Sequence, residues 1–222
     1  AFIFQGCEDF LDVKPKGITI PSKFNDYQKL MASSSLLRVG TTYPNFLTDN
    51  VLLLDEANGV DAPYLSYANH SEVERNIYSF KRGQVFTPGE SDGLWNGMYD
   101  QIYTYNTIIN NIMSVSDASE SEKLRLKAEA LFGRAFQYFI LVNAYGRHYD
   151  VTTAANDYGV PIVDKANVTL TYKRNTVADV YKLIETDLME AAPNLRDNAP
   201  FVTYPAKSTV YSFYARLYLY ME

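Results

Sequence analysis

The stretch that most constrains the fold runs from Arg125 to Gly146, RLKAEALFGRAFQYFILVNAYG. Its apolar residues recur at steps of three and four, which is the pattern of one face of an amphipathic helix. A second apolar set widens this face: Ala130, Phe132, Phe136, Phe139 and Ile140. Because a helix that is apolar on several sides must be covered on several sides, the sequence predicts a central helix against which others stack.

Local signals delimit this helix. Ser119 and Glu122 form a capping box at its start, and Gly146 ends it. The roughly 27 residues from 119 to 145 would span about 40 Å. Gly133 lies mid-helix among large aromatic residues, where a missing side chain lets another backbone come close.

Other helices are predicted from the same periodicity, over 23–37, 93–114, 177–191 and 207–222. Asn106 on the second of these is expected to face solvent or a neighbouring loop. Asp187, with Glu185 and Glu190, lies off the apolar face of the third, which indicates solvated carboxylates. Strand and helix patterns do not alternate, so no parallel sheet is expected, and Gly159 to Val163 is at most a short extended segment.

Two short patterns suggest how the helices are arranged. Trp95-x2-Met98-Tyr99 loosely follows the W-x2-L-G-x2-Y pattern of tetratricopeptide (TPR) repeats, and Ala135-x3-Phe139 follows the A-x3-F of the same repeat. Trp95 is in phase with the apolar face, which favours the core over a ligand site. We therefore expect an all-α, TPR-like layered domain, an α/α superhelix with long irregular loops.

Composition excludes several functions. The net charge of −6 argues against nucleic acid and against a membrane surface reached by charge alone. One cysteine excludes a disulfide framework, and two histidines far apart, His70 and His148, argue against a metal site. No cofactor is expected. The 19 tyrosines against 1 tryptophan fit helix packing for the most part, with some left to stack on sugars or peptides.

Residues 55–90 are the least regular part of the chain. Such a long irregular segment is usually functional or mobile. Its aromatic, amide and guanidinium groups suit an uncharged polyhydroxylated ligand, with rings on C–H faces and amides on hydroxyls. The candidate binding residues are Tyr64, Tyr67, Asn69, His70 and Arg75. The alternative is a solvated loop with incidental tyrosines.

Gly89 to Gly93 matches the G-x-S-x-G motif of serine hydrolases. That motif needs a strand before Ser91, and His148 is the only downstream base. We therefore expect a loop, with Ser91 or Asp92 capping the next helix, and no catalytic residue. His70-Ser71-Glu72 matches the H-x-E of zinc deaminases, but the required C-x-x-C is absent.

The first residues, AFIFQGC, have the form of the end of a bacterial lipoprotein signal, with Cys7 as the acylated residue. A buried free cysteine is the alternative for these residues alone. Residues 7–15, Cys-x-x-Phe-Leu-Asp-x-x-Pro, resemble the mature start of a known lipoprotein family, and that resemblance favours the acylated cysteine. Residues 1–7 would then be a signal remnant and 8–222 the folded domain.

Three segments, 7–15, 128–146 and 174–181, resemble the SusD/RagB-like outer-membrane lipoproteins of Bacteroidota. The resemblance implies a TPR-like fold, a lipid anchor at Cys7 facing the exterior, and a SusC-like TonB-dependent transporter as partner. It implies capture of an oligosaccharide, or less often a peptide, without catalysis. Family members are longer, so this chain would be their N-terminal part. The alternative function is a TPR-type adaptor that binds proteins.

Overall fold

Seven α-helices make up most of what this computed structural model describes, namely residues 21–37, 42–54, 66–165 and 169–222. In chain order they are α1 (Phe24–Met31), α2 (Thr42–Phe46), α3 (Glu72–Tyr78), α4 (Gly93–Asn111), α5 (Glu120–Tyr145), α6 (Val177–Ala191) and α7 (Lys207–Leu219). Within those ranges the only β-type pairings are two isolated bridges, Leu54 with Ser66 and Tyr158 with Thr176. The all-α prediction is confirmed.

The central helix is α5, as the sequence predicts. It has 26 residues, and both halves of the capping box at its start are formed. The Ser119 hydroxyl accepts from the Glu122 amide at 3.4 Å, and the Glu122 carboxylate accepts from the Ser119 amide at 2.9 Å. Helices α4 and α6 pack along it, and Phe213 of α7 lies 5.1 Å from Phe139, ring centre to ring centre. The helix is therefore covered on several sides.

A buried polar network fastens the three longest helices together. Arg134 on α5 donates from Nε and Nη2 to the two carboxylate oxygens of Asp187 on α6, at 2.8 and 2.7 Å. Its Nη1 donates to Asn106 on α4 at 2.8 Å. Asp187 is 2% exposed and Asn106 is fully buried, so the prediction of a solvated Asp187 is wrong. Charge pairing with Arg134 is what makes its burial tolerable.

The segment between α5 and α6 returns along α4 and α5. Asn106 donates its side-chain amide to the carbonyl of Val163 at 2.7 Å, so its expected loop contact is confirmed. Tyr138 accepts from the Val163 amide at 2.7 Å, and Tyr99 donates to the Pro161 carbonyl at 2.7 Å. Buried side chains of the helices thus fix this loop.

Two predicted boundaries need correction. The helix predicted over 23–37 ends at Met31 and resumes as a 3₁₀ turn, Ser34–Leu37. The serines at 33–35 explain the break, because their hydroxyls compete for backbone hydrogen bonds; those of Ser33 and Ser35 lie 2.8 Å apart. Within the irregular segment 55–90 the structure contains α3, which starts at a capping box of Ser71 and Glu74.

Candidate functional site

The predicted binding residues centre on a 3₁₀ turn, Tyr67–Asn69, that leads into α3. Arg75 on α3 reaches back to this turn. Its Nη1 donates to the carbonyls of His70 and Ala68, at 2.6 and 3.3 Å. Its guanidinium carbon lies 5.8 Å from the centre of the Tyr67 ring. Arg75 therefore holds the turn in place and supports one face of an aromatic ring that is 37% exposed.

His70 has a different environment from its neighbours. Its ring meets Phe46 of α2 edge to face, with the centres 5.2 Å apart, and its Nδ1 lies 3.4 Å from a carboxylate oxygen of Glu74. Its Nε2 is buried and has no hydrogen-bond partner among the described residues. The imidazole thus packs α3 against α2, and little of it faces solvent.

A second tyrosine extends the aromatic surface beside Tyr67. The ring of Tyr78, at the end of α3, lies 6.3 Å from that of Tyr67. The Tyr78 hydroxyl accepts from the Leu53 amide at 3.3 Å, and the Tyr67 backbone amide donates to the Leu54 carbonyl at 2.7 Å. The turn is therefore attached to residues 51–54 as well as to α3.

Four of the five predicted binding residues thus belong to one local unit, which we call the Tyr67 cluster: Tyr67, Asn69, His70 and Arg75. Tyr64 lies outside the described residues, and so does Cys7. Asn69 is exposed. Ligand binding by the cluster stays a prediction.

The G-x-S-x-G motif caps a helix. Residues 81–92 contain no strand, and Asp92 is the N-cap of α4, where its Oδ1 accepts from the Trp95 amide at 3.0 Å. The same oxygen accepts the Tyr145 hydroxyl at 2.9 Å. The strand that a nucleophile elbow requires is thus missing before Ser91, which is exposed. The expected loop and cap are confirmed.

An aromatic cluster that the sequence analysis did not assemble lies at this end of the central helices. The Trp95 ring lies 5.0 Å from Tyr99 and 5.0 Å from Tyr145, centre to centre, and Arg174 covers it at 5.8 Å. Trp95 packs against the main core, as its phase predicts. Burial, and after it the hydrogen bond to Asp92, raises the pKa of Tyr145. No sequence signal connects Arg174, on the loop before α6, to this cluster.

The short helix α2 lies between the two clusters. The ring centre of its Tyr43 lies 6.2 Å from that of Phe86. Burial is the main cause that raises the pKa of the Tyr43 hydroxyl, and the negative charges of Asp92 and Glu74 raise this pKa further. Residues of α2 thus contact both α3, through Phe46 and His70, and the main core, through Tyr43.

Neither a metal centre nor a membrane-spanning helix is found in the described part of the chain. No group of three histidine, cysteine or acidic side chains there is close enough to hold a metal ion. None of the helices described is long and apolar enough to cross a bilayer.

Sequence comparison relates the chain to SusD-like proteins. A profile of that family, described as starch-binding and associating with the outer membrane, matches residues 9–219. SusD-like protein P2 of Formosa agariphila is 26% identical over 221 residues, covering 96% of this chain and 40% of that protein. A SusD-like protein of Bacteroides ovatus is 24% identical over 205 residues, or 90% of this chain and 34% of the relative. The chain thus spans 34–40% of the length of these two relatives.

Solved structures show the same fold. A SusD superfamily protein from Bacteroides thetaiotaomicron superposes with a TM-score of 0.66 at 23% identity, over 90% of this chain and 43% of that one. A structure described as a laminarin binding SusD-like protein superposes with a TM-score of 0.65 at 18% identity, over 90% of this chain and 40% of that one. The predicted TPR-like helical arrangement is confirmed by these matches.

Proposed function

We propose, from the premise that this chain belongs to the SusD-like family of starch-binding proteins associated with the outer membrane, that it captures a glycan at the cell surface. The family match over residues 9–219 is the observation that carries this proposal. The description of one structural neighbour as laminarin binding supports an oligosaccharide as the ligand, with a peptide as the less common case.

The Tyr67 cluster supplies chemistry that fits such a ligand. Arg75 lies over the Tyr67 ring, which is 37% exposed, and the exposed part of the ring can meet the C–H face of a sugar. Asn69 lies exposed on the same turn, where its amide can share hydrogen bonds with hydroxyl groups. Because the turn is fixed by the carbonyl contacts of Arg75 and by Leu54, binding orders few additional side chains.

Anchorage and delivery complete the proposal. Acyl chains on Cys7 would hold the protein at the outer membrane, facing the exterior, since two or more chains give stable attachment. A SusC-like TonB-dependent transporter would receive the glycan. The helical layers provide a rigid base for the binding loops, and the ligand is held and passed on without any bond being made or broken.

The experiment is a binding assay on the full-length protein without its lipid. Calorimetry with neutral oligosaccharides would compare the native protein with Tyr64→Ala and Tyr67→Ala, and Tyr211→Ala on α7 is the matched control because its ring is 62% exposed. We expect each loop variant to bind about tenfold more weakly, or about 1.4 kcal/mol. The control should bind as the native protein does.

The outcomes separate the site from the function. Saccharide binding that is unchanged in both loop variants would make the site assignment wrong while leaving the function in place. A native protein that binds no saccharide, but retains a partner protein on its helical surface, would favour the adaptor. Ester hydrolysis that Ser91→Ala abolishes would favour the hydrolase.

A further inference from the structure

A cavity of about 390 Å³ opens where α5 ends and the loop before α6 begins, away from the Tyr67 cluster in sequence. Arg147 and Arg174 line it, with Tyr158 at its rim. The remaining lining residues are Tyr145, Gly146, Asn156 and Asp157. None of them belongs to the binding residues predicted from sequence.

The backbone around this cavity is fixed. Tyr158 forms a bridge with Thr176, and the Gly159 amide donates to the Asn175 carbonyl at 2.8 Å. A Cβ on Gly159 would lie 2.9 Å from the Thr176 carbonyl oxygen, and one on Gly146 would lie 2.6 Å from that of Val142. At both glycines the backbone packs closely against a neighbouring backbone segment, which a side chain would prevent. These backbone contacts hold the cavity wall in place.

The lining residues leave an excess of positive charge. Asp157 is the one carboxylate among them, and its side chain is 11% exposed. One of its oxygens lies 3.2 Å from Arg147 Nη1, and the other accepts the Thr153 hydroxyl at 2.6 Å. Two guanidinium groups and one carboxylate thus line the cavity, and the oxygens of that carboxylate are already engaged by Arg147 and Thr153, in a chain whose net charge is −6.

Both arginines keep donors for a ligand. Arg174 uses Nη1 for the Tyr145 carbonyl, at 3.2 Å, and rests on the Trp95 ring. The side chain of Arg147 is 78% exposed although it pairs with Asp157. Because a guanidinium has five N–H donors, each retains several that match the oxygens of a carboxylate or sulfate. The contacts already made reduce the entropy that these side chains lose on binding.

We propose that this cavity binds the anionic substituent, carboxylate or sulfate, of an acidic saccharide, with Tyr158 stacking on the sugar ring that carries it. Tyr158 is 75% exposed, so its ring is available for a C–H face, and Asn156 beside it offers an amide to hydroxyls. This inference rests on the proposed function and specifies its ligand class: the full site would prefer acidic over neutral glycans.

The test is calorimetry on the full-length protein with four probes of similar length. These are an oligogalacturonate, a sulfated carrageenan oligosaccharide, a neutral maltohexaose and hexaglutamate. The variants are Arg147→Gln, Arg174→Gln and Tyr158→Ala, with Arg216→Gln, at an exposed position of α7, as the matched control. Circular dichroism establishes that each variant is folded.

We expect at least one acidic saccharide to bind about tenfold more tightly than maltohexaose. Arg147→Gln should remove that preference and leave the affinity for maltohexaose within twofold. Tyr158→Ala should lower the affinity for the acidic saccharide, and added salt should lower it as well. The arm that binds, galacturonate or carrageenan, identifies carboxylate or sulfate.

Three results would overturn the inference. Equal affinity for neutral and acidic saccharides, with Tyr67→Ala still impaired, would exclude an anion subsite while the proposed function stands. Hexaglutamate bound as tightly as the saccharides, with no effect of Tyr158→Ala, would make this a site for acidic peptides. Loss of acidic preference in Arg216→Gln as well would mean a diffuse charge effect. Failure of every saccharide would instead refute the proposed function.

Discussion

Gly133 of α5 lies directly against the ring of Tyr105 on α4, and replacing it with alanine tests how these helices fit. A Cβ at this position would lie 2.3 Å from Tyr105 Cζ and 2.7 Å from its hydroxyl. Carbon atoms in contact are about 3.5 Å apart, so the end of the tyrosine ring would have to move by about 1.2 Å. Tyr105 is 4% exposed, so a ring displaced from Gly133 loses packing against the residues that now bury it.

The expected cost combines two opposed effects. Overpacking of a core costs about 1–3 kcal/mol, whereas alanine gains about 0.5–1 kcal/mol over glycine within a helix. Gly133→Ala should therefore lower the free energy of unfolding by about 1–2 kcal/mol. Gly97 on α4 is the matched control, because nothing lies within 4 Å of its Cβ position. Gly97→Ala should instead stabilise the protein by about 0.5–1 kcal/mol.

Urea denaturation of both variants, followed by circular dichroism, measures this difference. In thermal melts of the same two variants, we expect the melting temperatures to differ by roughly 5 °C. In a Tyr105→Leu background the penalty at Gly133 should disappear, since the clashing ring is gone. Equal stabilisation by both alanines would refute the argument that this contact sets the spacing of α4 and α5.

Three further substitutions test the polar side of the fold. Asp187→Ala leaves Arg134 buried without its counter-charge, so urea denaturation should show a loss of about 3–5 kcal/mol, largely recovered when Met and Leu replace the pair. Burial raises the pKa of Glu129, against the charge of nearby arginines, so its contribution to stability is present at low pH and lost as pH rises through its folded-state pKa. In thermal melts from pH 4 to pH 8, the melting temperature of Glu129→Gln should therefore rise relative to that of the native protein. A difference in melting temperature that stays constant with pH would contradict this. Ser119→Ala removes the acceptor for the Glu122 amide and should cost about 1 kcal/mol, a loss that Ser119→Asp should not show.

The central helix could be predicted from sequence because its signals are local. Each capping box joins two residues three positions apart, Ser119 and Glu122 for α5 and Thr176 and Asp179 for α6, and both boxes form in the structure. The same signal at Ser71 predicts the start of α3, but the surrounding Asn, Gly and Pro residues suggested a loop throughout. Periodicity over 7 residues is too short to outweigh them.

The buried network and the second aromatic cluster could not be predicted in the same way. Arg134 meets a carboxylate 53 positions away, a pairing that no local pattern gives. Asp187 itself lies three residues after Ile184 and four before Ala191, on the buried face of α6. Its assignment to solvent followed from its charge, and the buried arginine on the adjacent helix is what the sequence alone did not supply. Likewise, Arg174 reaches Trp95 only because the loop before α6 folds back over α4. Such pairs depend on tertiary structure rather than on local pattern.

The surplus of tyrosine separates into two roles once burial and partners are known. Tyr138 is buried in the core and Tyr99 is partly buried against it, and their hydroxyls bond the backbone of the loop before α6, at Val163 and Pro161. Their loss should therefore lower stability, and Tyr→Phe alone should loosen that loop. Tyr67 and Tyr158 are exposed, each beside a guanidinium that its own loop holds in place. Because a buried tyrosine is tied to the backbone and an exposed one is not, only the second pair should change ligand affinity without changing the melting temperature.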